Sequence, residues 1–404
     1  MNTQIPLRLP SILDGATGTE LQKRGMPEDA CTEQWILDHP EVLLELQRTY
    51  VAAGADVLTA PTFGANPASL ARFGLEDKVE EYNRRLVALS REAAGGKALV
   101  AGDLAACGLG KFGVREGRFE DLVDNYKAQV AALAKAGVDL YLIETMVDMA
   151  EARAAVLAIQ ETDPDKPVIV TFYCDGEGRT LSGVDVLAGL IVMEGMGVSA
   201  FGLNCVEFDM LVEQLERLAP YARIPLVAQP AAGETDPARL SDWAAKCAAQ
   251  GVRLFGGCCG AGPETIAAMK TAVDGLGLGD FVPAQWDPDV IPCASEREAR
   301  FITPDVDVSE PIECTSDLME NILEIEENTP VGALKIEIME EDDVLIFAEN
   351  QYVVEDALCL WSDVPELLEQ ALRVYQGRAF WDGTGDMEDE DLAPLVKKYG
   401  LIIL

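Results

Sequence analysis

Residues 256–264 read GGCCGAGPE, two cysteines side by side between glycines, and a third cysteine, Cys205, closes the stretch FGLNC. Thiolates are ligands for soft metals. A structural zinc site takes four protein ligands, often in CxxC pairs, whereas a catalytic site takes three and keeps one position open. The chain contains no CxxC pair. Cys205, Cys258 and Cys259 therefore offer three thiolates to one ion, provided the elements that carry them converge. Neighbouring side chains on extended backbone point to opposite faces, so Cys258 and Cys259 can share an ion only if the chain bends between them. Gly256, Gly257 and Gly260 permit that bend. Three thiolates leave a divalent ion with net charge −1, a poor activator of water but a suitable holder of a further sulfur, and a thiol bound there is deprotonated. The chemistry predicted is alkylation of a thiol. Cys31, Cys174, Cys247, Cys293, Cys314 and Cys359 read instead as small buried hydrophobes. Cys107, in AACGLG, ranks below the three because no second thiol accompanies it.

The elements that must position these thiols are legible as eight short apolar runs: SILD (11–14), ADVLTA (55–60), ALVAGD (98–103), DLYLIET (139–145), PVIVTFY (167–173), VSAFGLN (198–204), PLVAQ (225–229) and RLFGG (253–257). Between most of them lie segments of helical periodicity, such as PEVLLELQRTYVAAG and FEDLVDNYKAQVAALAKAG. Continuous apolar strands alternating with amphipathic helices predict a parallel sheet covered by helices. Eight such units in this length predict a (β/α)8 TIM barrel, α/β in class, whose chemistry sits at the carboxyl ends of the strands. An open doubly wound sheet is disfavoured, because DGATGTEL after the first run lacks the GxGxxG spacing. The predicted strand ends carry Asp14, Thr59, Asp103, Glu144, Asn204 with Cys205, and the Cys258–Cys259 pair, which gathers polar groups and thiols on one rim.

The chain has 404 residues, with 31 basic and 70 acidic side chains and a formal charge of −39. Such a charge opposes nucleic-acid and anionic-membrane partners. Residues 300–404 hold 6 basic and 26 acidic residues, net −20, so a boundary is expected near 300. The expected organisation is a barrel over 1–283, a proline-rich linker or strap over 284–312, and a small acidic C-terminal α/β domain over 313–404. That domain is expected to contain a helix at 316–327, strands at ALKIEI and DVLIFA, and helices at PELLEQALRVYQG and DEDLAPLVKKYG. No signal-like apolar start is present, so a cytoplasmic location is expected. The single histidine, His39, excludes His-based triads and His-rich metal sites. The acidic run DMEDEDL reads as a solvated helix start, since the EF-hand spacing is missing.

DGATGTEL, APTFGAN, YLIETMVDMAEA, FGLNC and GGCCGAGPETI occur in the order and spacing of the homocysteine S-methyltransferase family, including the amino-terminal module of cobalamin-dependent methionine synthases. The resemblance spans about residues 10–275. It implies zinc on Cys205, Cys258 and Cys259, homocysteine thiolate as the fourth ligand, and Asp14 and Glu144 at the substrate's α-amino group. Thr62 and Phe63, in the element Pro61-Thr62-Phe63 where the family often has Asn-Thr-Phe, are implied as further substrate contacts. Pro230-Ala231-Ala232-Gly233 likewise departs from the family's Pro-Asn-Ala-Gly. Thr145 follows Glu144 where the betaine-using branch has tyrosine, which counts against betaine. The implied reaction is methyl transfer to homocysteine, giving methionine, with a methyl-corrinoid protein or S-methylmethionine as donor. Leu37 stands where the corrinoid motif DxHxxG needs aspartate before the only histidine, so a corrinoid is expected on a separate chain. The alternative is a non-catalytic zinc-bound barrel serving assembly. In either case the C-terminal domain is expected to dock a partner or form a homo-oligomer, for instance through an exposed strand at DVLIFA.

Overall fold

The computed structural model describes residue 6 and residues 8–109, 119–231, 233–328 and 331–404. Ala232 lies outside the described residues. The chain divides into two compact units, one of residues 1–182 with 198–284, the other of 183–197 with 285–404.

In the first unit eight parallel strands follow one another: β1 (Ser11–Ile12), β2 (Val57–Thr59), β3 (Leu99–Ala105), β4 (Leu140–Met146), β5 (Val168–Phe172), β6 (Ala200–Asn204), β7 (Leu226–Gln229) and β8 (Val252–Phe255). β1 pairs with β8 at one end of the sheet, and a parallel bridge from Leu13 to Val57 joins β1 to β2 at the other. The sheet is thus a closed barrel, as the alternating pattern predicts. Leu13, Val57, Ala101, Leu140, Leu142, Ile169, Ala200, Val227 and Leu254 pack as one cluster inside it. Side chains alternate along a strand, so residues two positions nearer the carboxyl ends, among them Thr59, Asp103, Glu144, Thr171 and Gln229, also point inward.

The helix Pro40–Ala53 illustrates how the outer layer forms. Proline occupies its first turn, where its missing N–H costs nothing. Leu43, Leu46, Gln47 and Tyr50 recur at the helical period and are buried. Each buried leucine contributes about 2 kcal/mol relative to exposure. Tyr50 donates to the carbonyl of Ala16 at 2.7 Å, tying this helix to the turn that carries Asp14.

The second unit holds an antiparallel hairpin, β9 (Ile291–Ala294) with β10 (Ala299–Ile302), and a five-stranded parallel sheet. Its strands, β11 (Ile312–Glu313), β12 (Ala333–Glu337), β13 (Ala357–Trp361), β14 (Phe380–Trp381) and β15 (Ile402–Ile403), lie in sequence order with a helix in each connection. Cys293 and Ile302 of the hairpin pack on Ala333, Ala357, Cys359 and Phe380. On the same face Lys335 pairs with Asp382 at 2.8 Å, and its ammonium lies over the Trp361 ring.

Three expectations change here. Residues 284–312 are not merely a linker or strap, because the alternation of Ile291, Cys293 and Ile302 gives the hairpin a buried face. The barrel unit does not keep all of 1–283, since residues 183–197 fall with the second unit. Within that segment the helix Val186–Gly195 is apolar but for Glu194 near its end and is buried along most of its length, as a helix with almost no polar face must be. Finally, DVLIFA lies in a helix, Glu341–Asn350, so no strand is available there for docking. Its start is set by a capping box between Glu340 and Asp343, with three acidic residues in the first turn. Among the described residues no helix is long and apolar enough to cross a membrane.

Candidate metal centre and its carboxylate pocket

The thiols predicted to converge do so. The sulfurs of Cys205, Cys258 and Cys259 all lie within 4.8 Å of one another, and Cys205 Sγ stands 3.5 Å from Cys259 Sγ. Cys205 and Cys258 are half-buried and Cys259 is exposed, so the group opens to solvent on one side. Hydrogen bonds from Cys205 and Cys258 draw Cys259 well below the ordinary thiol range, while the same contacts push Cys258 up. The donor set fits a soft divalent ion with one position left over.

Backbone geometry produces this convergence at two places. Cys205 sits just past β6 with φ 57°, a left-handed conformation uncommon for a residue with a side chain. The bend at the pair relies on Gly260, with φ +83°, and on tight packing at Gly256, where a Cβ would stand 2.8 Å from Leu13 Cβ and 3.2 Å from the Asp14 carbonyl oxygen. Asp14 in turn accepts from the Gly257 N–H at 3.0 Å. The glycine-rich turn and the first strand end are therefore locked together.

Asp14 is 2% exposed, and both its carboxylate oxygens accept from Thr59, Oδ2 from the backbone N–H at 2.8 Å and Oδ1 from the hydroxyl at 2.7 Å. Burial raises it to about 7 against this hydrogen bonding. Glu144, half-buried on β4, is also raised to about 7, by burial first and then by the charges of Asp14 and Cys259. Two strand-end carboxylates beside a thiol cluster make a pocket of the right sign for an ammonium group. Asn204, the residue before Cys205, joins the two halves of the site. Its Oδ1 accepts from Thr145 N–H at 3.1 Å, and its Nδ2 donates to Thr145 Oγ1 at 2.7 Å and to Cys258 Sγ at 3.8 Å.

Thr62 is fully buried, and its hydroxyl donates to the Asp103 carbonyl and accepts from the Asp103 N–H. It ties β3 to the end of β2 and presents no surface to a ligand. Phe63 is 45% exposed. Cys107 is buried, with its N–H bonded to Glu151, and stands outside the three-thiol cluster. The roles of Asn204 and Thr62 were not readable from spacing, because each depends on which strands become neighbours.

The family model for homocysteine S-methyltransferases matches residues 11–273, which hold the whole barrel and all three thiols. The chain belongs to the homocysteine S-methyltransferase family. Among this family's curated members, the methionine synthase of Mycobacterium leprae is 30% identical over 290 residues, and that of Mycobacterium tuberculosis 29%. Each alignment covers 64% of this chain and 24% of the relative, so the chain spans about a quarter of those proteins. The homocysteine methyltransferase MmuM from Escherichia coli, solved in a metallated form, superposes with a TM-score of 0.58 at 28% identity, covering 65% of this chain and 95% of that one. Its oxidised form gives a TM-score of 0.57. Residues 285–404, which make up most of the second unit and carry its own sheet, lie beyond the matched region.

Proposed function

We propose that this chain transfers a methyl group to the thiol of homocysteine, giving methionine, with zinc held by Cys205, Cys258 and Cys259. The observation that carries the reading is the meeting of three sulfurs within 4.8 Å at the carboxyl end of a barrel, beside the carboxylates of Asp14 and Glu144. The metallated form of the Escherichia coli relative supports a metal at this centre. Bound zinc would keep the substrate sulfur as a thiolate, the form that is nucleophilic at neutral pH.

The chain's own residues do the rest. Glu144 and Asp14 receive the ammonium group, and Thr59 holds Asp14 in place through two hydrogen bonds. The half-buried thiols leave one side of the centre open for the donor. In the transfer the substrate sulfur forms a bond to the methyl carbon as the donor's bond to that carbon breaks, and the thiol proton leaves to solvent. A methyl-corrinoid protein or S-methylmethionine would serve as donor, and the second unit would act in partner docking or subunit assembly.

Supplying the zinc-loaded chain and homocysteine with S-methylmethionine, betaine or a methylated corrinoid protein, and assaying methionine, tests the reading. Methionine from either of the first or third donors is expected. Its absence with all three would refute the proposed activity.

A further inference from the structure

The barrel interior holds a third carboxylate that neither the thiols nor Asp14 requires. Asp103 lies on β3 two residues beyond Ala101, and Glu144 lies on β4 two residues beyond Leu142. Ala101 and Leu142 belong to the interior cluster, so both carboxylates point inward. The ladder pairs Asp103 with Leu142 and Ala105 with Glu144, which sets Glu144 one step nearer the mouth.

Asp103 is 3% exposed and its backbone is gripped from two sides. Thr62 Oγ1 accepts its N–H at 3.0 Å and donates to its carbonyl at 2.9 Å, and Gln129 Nε2 donates to the same carbonyl at 3.2 Å. The side chain is treated differently. Among the described residues no N–H or O–H donates to Asp103 Oδ1. The side chain that interacts with the Asp103 carboxyl is that of Glu144. The other charges acting on Asp103 are those of Asp14 and Glu33, again carboxylates. Two neighbouring carboxylates inside the barrel, where the groups acting on Asp103 are all carboxylates, do not both stay ionised.

We propose that Asp103 keeps a proton and donates it in a hydrogen bond to the Glu144 carboxylate, acting as a positioning residue for the group that receives the substrate's ammonium. The proton removes one negative charge from the pocket and aims Glu144 toward the mouth. This rests on the reading of Glu144 as the amine-binding group. The direction of both shifts agrees: burial, then Glu144, pushes Asp103 well above its ordinary value, and the bond from Asp103 opposes the rise at Glu144. Thr62, expected to touch substrate, serves here by anchoring the donor of that bond.

The test uses the full zinc-loaded chain. Infrared spectra of the substrate-free wild type at neutral pH, with and without carboxyl-labelled aspartate, should show a carboxylic-acid C=O stretch that moves with the label and is lost in Asp103→Asn. Calorimetry with homocysteine should place Asp103→Asn within about threefold of wild type, because the amide N–H replaces the acid as donor, and should weaken Asp103→Ala about tenfold. In turnover the loss in Asp103→Ala should fall on KM and not on kcat. Absence of the acid band, equal losses in Asn and Ala, or wild-type affinity in Ala would each overturn the proposal. A band present in a wild type that binds no homocysteine would support the shared proton and refute the amine-binding reading.

Discussion

Asn204 holds Thr145 at two points, accepting its backbone N–H at 3.1 Å and donating to its hydroxyl at 2.7 Å. The two residues come from β6 and from β4, on either side of β5. Thr145 and Cys205 both have φ 57°, and each directly follows a residue of the site, Glu144 in one case and Asn204 in the other. The clamp therefore sustains two strained backbones at once, and joins the strand end that carries Glu144 to the thiol cluster.

Asn204→Ala is expected to weaken both functions together. Losing the amide leaves the Thr145 N–H without its partner, at a cost of about 1–3 kcal/mol. Homocysteine affinity by calorimetry and zinc retention against a chelator should both fall. A variant impaired in only one would show that the two halves are not coupled through this residue.

Each of Cys205→Ser, Cys258→Ser and Cys259→Ser should lose most of its zinc, since each removes one of three protein ligands. Cys247→Ala, altering a thiol buried away from the cluster, should bind zinc as wild type does. Metal content after gel filtration checks both halves of the statement. Full zinc in all three serine variants would mean that the metal, if any, sits elsewhere.

Homocysteine affinity should rise with pH through about 7, because Asp14 and Glu144 are both raised to about 7 and an ammonium needs them ionised. The effect on stability has the opposite sign. Both groups hold protons more tightly folded than unfolded, with ordinary values of 3.8 and 4.5. The stability they contribute is complete below that range and is lost as pH climbs through about 7. Asp14→Asn should flatten part of the stability profile and reduce affinity at every pH. Denaturant titrations and calorimetry across the same pH series provide the comparison.

Gly256→Ala should destabilise the barrel by about 1–3 kcal/mol, the usual cost of forcing a methyl into a packed interior. The added carbon would meet Leu13 Cβ at 2.8 Å and crowd the Asp14 carbonyl. Zinc content and substrate affinity should fall with stability, as the first strand end and the thiol turn are displaced together. A drop in thermal midpoint with no change in either would place the glycine in packing alone.

Removing residues 285–404 should leave an aggregating chain and not a clean barrel. The helix Val186–Gly195 is buried along most of its length and belongs with the removed segment. Its loss of cover exposes a contiguous apolar surface. Size-exclusion chromatography of the truncated chain decides this, and a soluble monomer would contradict it.

Much of the site was legible in the chain because its signals are local. Alternation of apolar runs and amphipathic segments reports the barrel, since period 2 and period 3.6 are properties of short stretches. GGCCG and FGLNC announce a bent pair of thiols and a third at a strand end, since barrel topology returns every strand's carboxyl end to one rim. What the residues do to each other was decided only by the closed barrel. Asp103 comes to lie one level below Glu144, Thr62 binds the backbone of Asp103, and Asn204 spans to Thr145, because strand order and register set which residues become neighbours. In the second unit, DVLIFA is apolar enough for a strand, but the capping box formed by Glu340 and Asp343 starts a helix there. Residues 183–197 join that unit because a helix apolar but for Glu194 has almost no face for solvent, and its partners lie a hundred residues further along the chain.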